Sequence, residues 1–550
     1  MMSSRKLVVF LSLFGLISAA AAGPPSGIVG DYAGWAYLDD GGDFPMRMQC
    51  TSEAGGLAVK LGLPHEKIFG LATTNARLDG SKLLFERRNR EGKLWTYKAD
   101  LREDRSLAGD ATLEGNQARF RFELHRSEEP LPPTLLERAG NYLGTYRGDS
   151  GRTIVLTSWF WDELRFFDIQ SGRQGTLFPT AKGDFIVGPA EYIPAPVWAR
   201  IGFQRRDDGT VKSLLWTPQD SWPETLDRLM HVEEPIEFRN DTVQLRGTFI
   251  KPAGAGAHPA MVILGGSDWH TRGQVRREAD IFVSVGLGAL IYDARGNGES
   301  SGEATCSFEE TAGDVRAAVA TLAARSDVDP KRIGVFGRSR GGWFAPLAAS
   351  KCPDVSFLLL FVPPAISPAR QETTRRLNEM RASGYSEAEV REANDYLELL
   401  WQALRSDADW DKYADARSRV AALGWYRYAD GIESRDSDDF RWSRLNMHYD
   451  PVPVLEKVKC PVLALFGERD TNVTPAENVA TMEAALMRAG NKDFTLRTLD
   501  GANHGLRPVA PGSGAVPLHR GIGYAPELWP TVQEWLRARS LGHVKRRSGE

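Results

Sequence analysis

A mostly apolar, strand-like tetrapeptide, Ile333-Gly334-Val335-Phe336, runs directly into Gly337-Arg338-Ser339-Arg340-Gly341, and Trp343 to Ser350 then read as the start of a helix. Few arrangements let a buried strand turn this sharply into a helix. The backbone is crowded on both sides of the serine, and residues without a Cβ tolerate that approach. The turn lifts the serine oxygen clear of the sheet and sets it beside a helix N-terminus, where backbone N–H groups favour negative charge. Ser339 is therefore a candidate nucleophile. The alternative is a Gly-Ser-Gly loop with no chemistry, and the rest of the chain has to choose between them.

From about residue 232 the chain has the rhythm of an α/β protein. Ile236 to Ile250 reads as a β-hairpin across Asn240-Asp241. Buried strand candidates follow at 260–264, 289–292, 333–336, 357–361, 462–466 and 494–497, with helical stretches such as 310–324 and 476–489 between several of them. That alternation predicts a mostly parallel sheet covered by helices on both faces. One interval breaks it. Residues 367–455 are rich in charge, carry Trp401, Trp410, Trp425 and Trp442, and have helical character over 370–404. They read as a helical cap over the sheet edge where such folds place ligand sites.

A serine hydroxyl needs a base to take its proton, and the base needs an acid to hold its tautomer. In strand–turn–helix hydrolases these follow in the order Ser, Asp or Glu, His. The strand 462–466 ends in Gly467-Glu468-Arg469-Asp470, and the strand 494–497 leads to Asp500-Gly501-Ala502-Asn503-His504. Both candidates fall just past consecutive strands, which makes Ser339, Asp470 and His504 the expected triad. Glu468 is the fallback acid, and His448 and His519 are the fallback bases. The oxyanion donors are expected to be the backbone N–H of Arg340 and those of the Gly265-Gly266-Ser267 loop, with Ser267 preferred and Gly266 second. His270 near that loop is read as structural at least as readily as substrate-touching. Arg338 and Arg340 are read as partners for acidic residues of neighbouring helices, with steering of an anionic substrate the alternative.

The set Gly265-Gly266-Ser267, Tyr292-Asp293-Ala294-Arg295-Gly296-Asn297-Gly298-Glu299-Ser300, Gly337 to Gly341, Gly467 to Asp470 and Gly501 to His504 resembles the α/β-hydrolase superfamily. Its flavour is that of bacterial exported esterases and the related prolyl-oligopeptidase-like and acyl-thioesterase-like hydrolases. The resemblance covers roughly 232–540. It implies an α/β-hydrolase fold, a serine hydrolase acting through an acyl-enzyme, and no cofactor. Gly265 departs from it, since many members carry histidine there. The Asp293–Ser300 loop resembles the family's structural turn after its fourth strand and receives no catalytic role.

The N-terminal part is different in kind. Residues 23–230 are dense in short alternating segments and turn glycines, predicting a β-rich region. Gly30-Asp31-Tyr32-Ala33-Gly34 recurs as Gly140-Asn141-Tyr142-Leu143-Gly144, which suggests two antiparallel modules at about 24–128 and 138–230, a single β-domain being the alternative. Trp35, Trp95, Trp159, Trp161, Trp198, Trp216 and Trp222 are read as packing residues in preference to a carbohydrate platform. The stretch is too short, and too poor in repeats, for a propeller.

Arg5 and Lys6, the mostly apolar run Leu7–Ile17 and the small residues Ser18 to Gly23 form a leader with its cleavage expected after Ala22. Residues 1–22 are thus read as a signal peptide and the protein as exported, periplasmic or secreted. A net charge of -4 gives no basic footprint for nucleic acid, and no later segment has the length of a membrane span. The four cysteines, Cys50, Cys306, Cys352 and Cys460, allow three full pairings among which the sequence does not choose, and no metal-ligand cluster is present. The leading function is hydrolysis of a small-molecule ester or acyl substrate. Peptidase or amidase action with the same triad, and a catalytically silent binding protein, are the alternatives. Oligomeric state is not legible.

Overall fold

The computed structural model describes residues 27–541 except 39–42, 54–55, 64–67, 90–91, 117–118, 128–140, 160–162, 181, 189–192, 255, 268–269, 430 and 510–522. The leader and His519 lie outside the described residues.

The N-terminal part forms two nine-stranded antiparallel sheets, one spanning Gly30–Arg126 and the other Gly144–Leu229. Both have the same order. Each runs as a meander whose first and last strands lie side by side, Gly30–Leu38 against Arg119–Arg126 and Gly144–Arg147 against Glu224–Leu229. Thr73 alone separates the two edge strands of the first sheet, and Leu177 alone those of the second. Each sheet therefore curls until its edges meet, which leaves few backbone groups unpaired.

The same polar devices recur in both barrels. Tyr32 Oη donates to the Ile28 carbonyl at 2.8 Å and Tyr146 Oη to that of Tyr142 at 2.7 Å. Arg126 Nη2 donates to the Val29 carbonyl at 2.7 Å and Arg228 Nη2 to that of Leu143 at 2.6 Å. The structural repeat thus pairs Gly30 to Gly34 with Gly144-Thr145-Tyr146-Arg147-Gly148, four residues later than the sequence match at Gly140. Two overlapping Gly-x-Tyr-x-Gly spacings occur in this stretch, and only strand pairing tells them apart. Trp95 packs on Phe120, Trp216 is buried, and Trp198 lies under Arg173 at 4.6 Å. Trp161 and the side chain of Trp159 lie outside what is described, and Trp222 is 90% exposed.

The third sheet has eight strands: β1 (His231–Asn240), β2 (Val243–Pro252), β3 (His258–Leu264), β4 (Gly288–Tyr292), β5 (Val328–Arg338), β6 (Phe357–Phe361), β7 (Val462–Gly467) and β8 (Phe494–Leu499). Their order is β1-β2-β4-β3-β5-β6-β7-β8. The β1–β2 hairpin closes at Asn240↔Val243 and pairs antiparallel with β4, and the remaining strands are parallel. The strands β3, β4, β6 and β7 are almost wholly buried, as their continuous apolar runs require. Strand β8 differs from expectation: as an edge strand it alternates half-buried and exposed positions instead of being buried throughout.

Helices α1 (Arg276–Ser284), α2 (Phe308–Ala323) and α3 (Gly341–Ala349) pack against these strands. Between β6 and β7 come α4 (Pro368–Ala382), α5 (Glu387–Arg405), α6 (Trp410–Val420), α7 (Tyr426–Ala429), α8 (Asp438–Asn446) and α9 (Val452–Leu455). Ser367 and Ser386 cap α4 and α5 by accepting backbone N–H bonds, and Glu389 completes a capping box. The inserted helices have a core of their own, built around Met380, Leu397, Leu400, Tyr413 and Trp425. Leu455 of α9 is buried in the core of the main sheet instead, so the inserted unit ends short of residue 455. Helices α10 (Pro475–Arg488) and α11 (Leu528–Ala538) complete the domain.

The second barrel shares its core with this domain. Val155, Phe167 and Ile169 belong to the same buried cluster as the main sheet, and Phe167 meets Trp529 of α11 edge-on at 5.4 Å.

Candidate active site

Ser339 leaves β5 at a φ of 51°, a left-handed conformation that a non-glycine residue adopts at a cost. Its N–H is held by the Phe361 carbonyl of β6 at 2.9 Å, and its carbonyl accepts from Gly342 at 2.7 Å as α3 begins. The corner is tight enough that a Cβ on Gly337 would collide with the Gly341 carbonyl oxygen. A Cβ on Gly341 would stand 2.8 Å from the Gly265 carbonyl oxygen, so the loop after β3 lies directly against the corner.

The loops after β7 and β8 bring two side chains to Ser339. His504 Nε2 is 3.1 Å from Ser339 Oγ, and His504 Nδ1 is 2.8 Å from Asp470 Oδ2. The Asp470 side chain is fully buried, and its other oxygen accepts from the N–H groups of Asn472 at 2.9 Å and Val473 at 2.8 Å. A neutral imidazole with its proton on Nδ1 donates to Asp470 and turns the Nε2 lone pair toward the serine hydroxyl. Such an arrangement is chemically able to take the proton from a serine hydroxyl.

The fallback residues stand elsewhere. Glu468 accepts from the Gly501 N–H at 2.7 Å and braces the turn into the histidine loop. His448 sits among the inserted helices, where Arg405 Nε donates to its Nδ1 at 2.9 Å and the Trp401 carbonyl lies 2.9 Å from Nε2. Burial and then Arg405 lower its pKa.

The expected oxyanion residues converge on one wall. Arg340 is the cap residue of α3, and Gly266, Ser267 and Arg340 line one cavity of about 900 Å³ together with His270, Phe344 and Trp442. Asp268 and Trp269 of that loop lie outside the described residues. His270 donates its backbone N–H to Gln274 Oε1 at 2.7 Å and gives its carbonyl to Ala294 at 3.0 Å, so it also ties the loop to the segment after β4. That segment is itself cross-linked. Asp293 accepts from the N–H groups of Arg272 at 2.8 Å and Glu299 at 3.0 Å, and Ser300 Oγ donates to its carbonyl at 2.7 Å.

The two arginines beside Ser339 part ways. Arg338 lies 3.9 Å from Glu278 of α1, as pairing with a neighbouring helix predicts. Burial pushes the Glu278 carboxyl up, but Arg277 and Arg338 outweigh it and hold the group below its ordinary value. Arg340 instead lays its guanidinium over the Trp442 ring of α8 at 4.5 Å, a cation–π contact that ties the corner to the inserted helices. Local spacing carries no trace of this contact, because the two residues are a hundred positions apart and meet only through the fold.

Among the described residues no group of three or more His, Cys, Asp or Glu side chains is placed to hold a metal ion. No described helix is long and apolar enough to cross a membrane, and the four cysteines are free thiols.

The strand order and the serine corner between β5 and α3 are those of an α/β-hydrolase fold. Residues 255–507 match the family described as serine aminopeptidase, S33. Among curated proteins the chain is similar to an uncharacterized Mycobacterium tuberculosis protein, Rv2307c, with 33% identity over 122 residues, 22% of this chain and 41% of that one. It is also similar to esterase EstD of Thermotoga maritima, with 25% identity over 280 residues, 49% of this chain and 60% of that one. Among solved structures, an esterase of Pyrococcus furiosus, Pf2001, superposes with a TM-score of 0.37 at 20% identity, covering 56% of this chain and 91% of that one. The chain spans about half the length of the curated relatives it matches.

Proposed function

We propose that this protein is an exported serine hydrolase that cleaves carboxylic esters through an acyl-enzyme. The observation that carries the reading is His504, set between Ser339 Oγ at 3.1 Å and the buried Asp470 at 2.8 Å. Ser339 Oγ attacks the acyl carbonyl while its proton passes to His504 Nε2. The resulting oxyanion is held by the backbone N–H groups of Arg340 and Ser267, with Gly266 beside them. Collapse of the intermediate breaks the bond to the leaving alcohol, which takes the proton from His504. Water then attacks the acyl-enzyme and gives its proton to His504, which passes it to Ser339 Oγ as the acyl–oxygen bond breaks and the acid leaves. No cofactor enters these steps.

The leaving alcohol must sit beside His504 Nε2 to receive that proton. The cavity lined by Ser267, Arg340, Phe344 and Trp442 adjoins the residues assigned here as oxyanion donors, which supports giving it the acyl part of the substrate. Export, to the periplasm or medium, rests on the leader sequence of residues 1–22 with its small residues up to Ala22.

A fluorophosphonate probe tests the reading. Labelling should fall on Ser339, and Ser339→Ala should abolish it and lower kcat on a p-nitrophenyl ester by on the order of 10⁶-fold with the fold intact. Turnover near wild type in that variant would sink the assignment. The family match to serine aminopeptidases supports a second reading, peptide or amide hydrolysis with the same triad. Matched p-nitrophenyl ester and peptide p-nitroanilide substrates separate the two, and preference for the anilide would replace the esterase reading.

A further inference from the structure

Two of the contacts between the second barrel and the hydrolase domain differ in what they can control. At the first, Thr157 Oγ1 donates to Asp280 at 2.6 Å and Arg147 Nη2 to the Ser284 carbonyl at 2.9 Å, both on α1. At the second, the turn 172–174 meets the segment that follows and supports the histidine loop. The Gly172 carbonyl accepts from the Tyr524 N–H at 3.2 Å, and Arg173 bridges to Gly523 in antiparallel pairing. A Cβ on Gly523 would collide with the Gly172 carbonyl oxygen, so the two backbones touch. Phe167 packs edge-on against Tyr524 at 5.8 Å.

The next residue along carries this contact to the site. The Ala525 N–H donates to the Leu506 carbonyl at 2.8 Å, two residues past His504. Beside it, the buried Gln174 amide lies against the Arg507 guanidinium, which offers only donors; turned so that its oxygen faces them, the amide accepts from Nη2 at 2.8 Å and Nε at 3.3 Å. Between these anchors the loop turns back on itself. Asn503 Oδ1 accepts from the N–H groups of Gly505 at 2.9 Å and Arg507 at 3.0 Å, and Leu506 takes a φ of 54°. A non-glycine residue stays in that region only where its surroundings over-determine it.

We infer that the second barrel is a positioning element of the catalytic machinery: Gln174 and the Gly172–Arg173 turn hold the 503–507 loop so that His504 stays within reach of Ser339. The inference rests on the triad reading above. Proton transfer is steeply sensitive to placement, and an error of about 1 Å in a catalytic group costs on the order of 10²-fold in rate.

The test uses the full chain and compares Gln174→Ala, Gln174→Glu and Thr157→Val. Three quantities are read: kcat and KM on a p-nitrophenyl ester, amide hydrogen exchange of the 503–507 segment, and the melting temperature. Gln174→Ala should lower kcat about tenfold, leave KM within about twofold, and speed exchange in the loop. Gln174→Glu, which still accepts from Arg507, should restore both. Thr157→Val, at the same interface but away from the loop, should lower the melting temperature and leave kcat and loop exchange unchanged. The inference is overturned if Gln174→Ala keeps wild-type kcat and exchange, or if Thr157→Val depresses kcat equally, since the barrel would then act only through global stability. If the fluorophosphonate fails to label Ser339, the triad reading falls, and loop exchange in Gln174→Ala still decides whether the barrel holds the loop.

Discussion

The two N-terminal barrels are one meander built twice, yet they stand in different relations to the rest of the molecule. The core of the first is self-contained, gathered around Tyr32, Met46, Met48, Phe85 and Phe122. The second has an inner core of Ile154, Leu156, Phe166 and Leu214, and sends Val155, Phe167 and Ile169 outward into the core of the hydrolase sheet. The second strand of each shows why. In the first barrel Met46, Met48 and Cys50 point inward and alternate with Arg47, which is buried over the Phe178 ring of the second barrel, and the exposed Gln49. In the second, Ile154-Val155-Leu156 is apolar on both sides of the strand. Alternation leaves one face for a polar environment, and a continuous run demands cover on both. Identical topology thus serves two roles, and the outward residues decide which.

The largest expected effect separates the barrels by mutating each at an aromatic. Phe167→Ala removes a ring that seats between Tyr524 and Trp529 and should cost roughly 3–5 kcal/mol, with a loss of ester turnover in parallel. Phe85→Ala removes a ring stacked on Tyr97 at 4.5 Å and should cost a similar amount within the first barrel while kcat is unchanged. Calorimetry with parallel activity assays reads both. Equal losses of activity would erase the distinction between the barrels.

A smaller, pH-dependent effect should come from the hydrolase domain beside the second barrel, where Arg276 also pairs with Asp280, the acceptor of Thr157. The Glu233 carboxyl on β1 is held at about 2, first by hydrogen bonding to His231 and, against the opposing effect of burial, by Arg276 of α1, which it meets at 2.5 Å. A depressed carboxylate stabilises the fold above its unfolded pKa and loses that contribution as pH falls through the folded value. The stabilisation from Glu233 should therefore be complete above about pH 5, shrink as pH drops toward 2, and vanish in Glu233→Gln. Melting temperatures measured from pH 7 to pH 2 check this. A Glu233→Gln variant with the same acid dependence as the parent would show that the pair contributes nothing there.

The smallest effect tests whether the barrels are equivalent at all. Tyr32→Phe and Tyr146→Phe each delete one hydroxyl that donates to a carbonyl four residues earlier, so each should cost about 1 kcal/mol. Urea unfolding that gives clearly unequal costs would break the structural repeat.

Much of the hydrolase domain was legible because its signals are local. The run Ile333 to Phe336 has to be buried, the glycines around Ser339 mark a tight corner, and Asp470 and His504 each follow a strand within a few residues. The helical character of 370–404 appears as α4 and α5 for the same reason. Strand β8 reads as buried from Phe494 and Leu496, while its place at the sheet edge depends on the order of all eight strands. The register of the repeat in the barrels is not legible in the sequence, since Gly140 to Gly144 and Gly144 to Gly148 have the same spacing and only the pairing of Gly144 with Leu156 selects one.

The sequence by itself determined the chemistry on offer and its order along the chain: a serine on a strand–helix corner, then an acid, then a histidine, and a β-rich region ahead of them. These follow from short-range sterics and periodicity, which neighbouring residues specify. Tertiary structure decided what those groups touch. It placed Trp442 under Arg340, set Glu278 against Arg338, and brought Gln174 to the loop that carries His504. Such contacts join residues from 60 to more than 300 positions apart, and no local pattern encodes them because they exist only once the strands have taken their order and the barrel has docked.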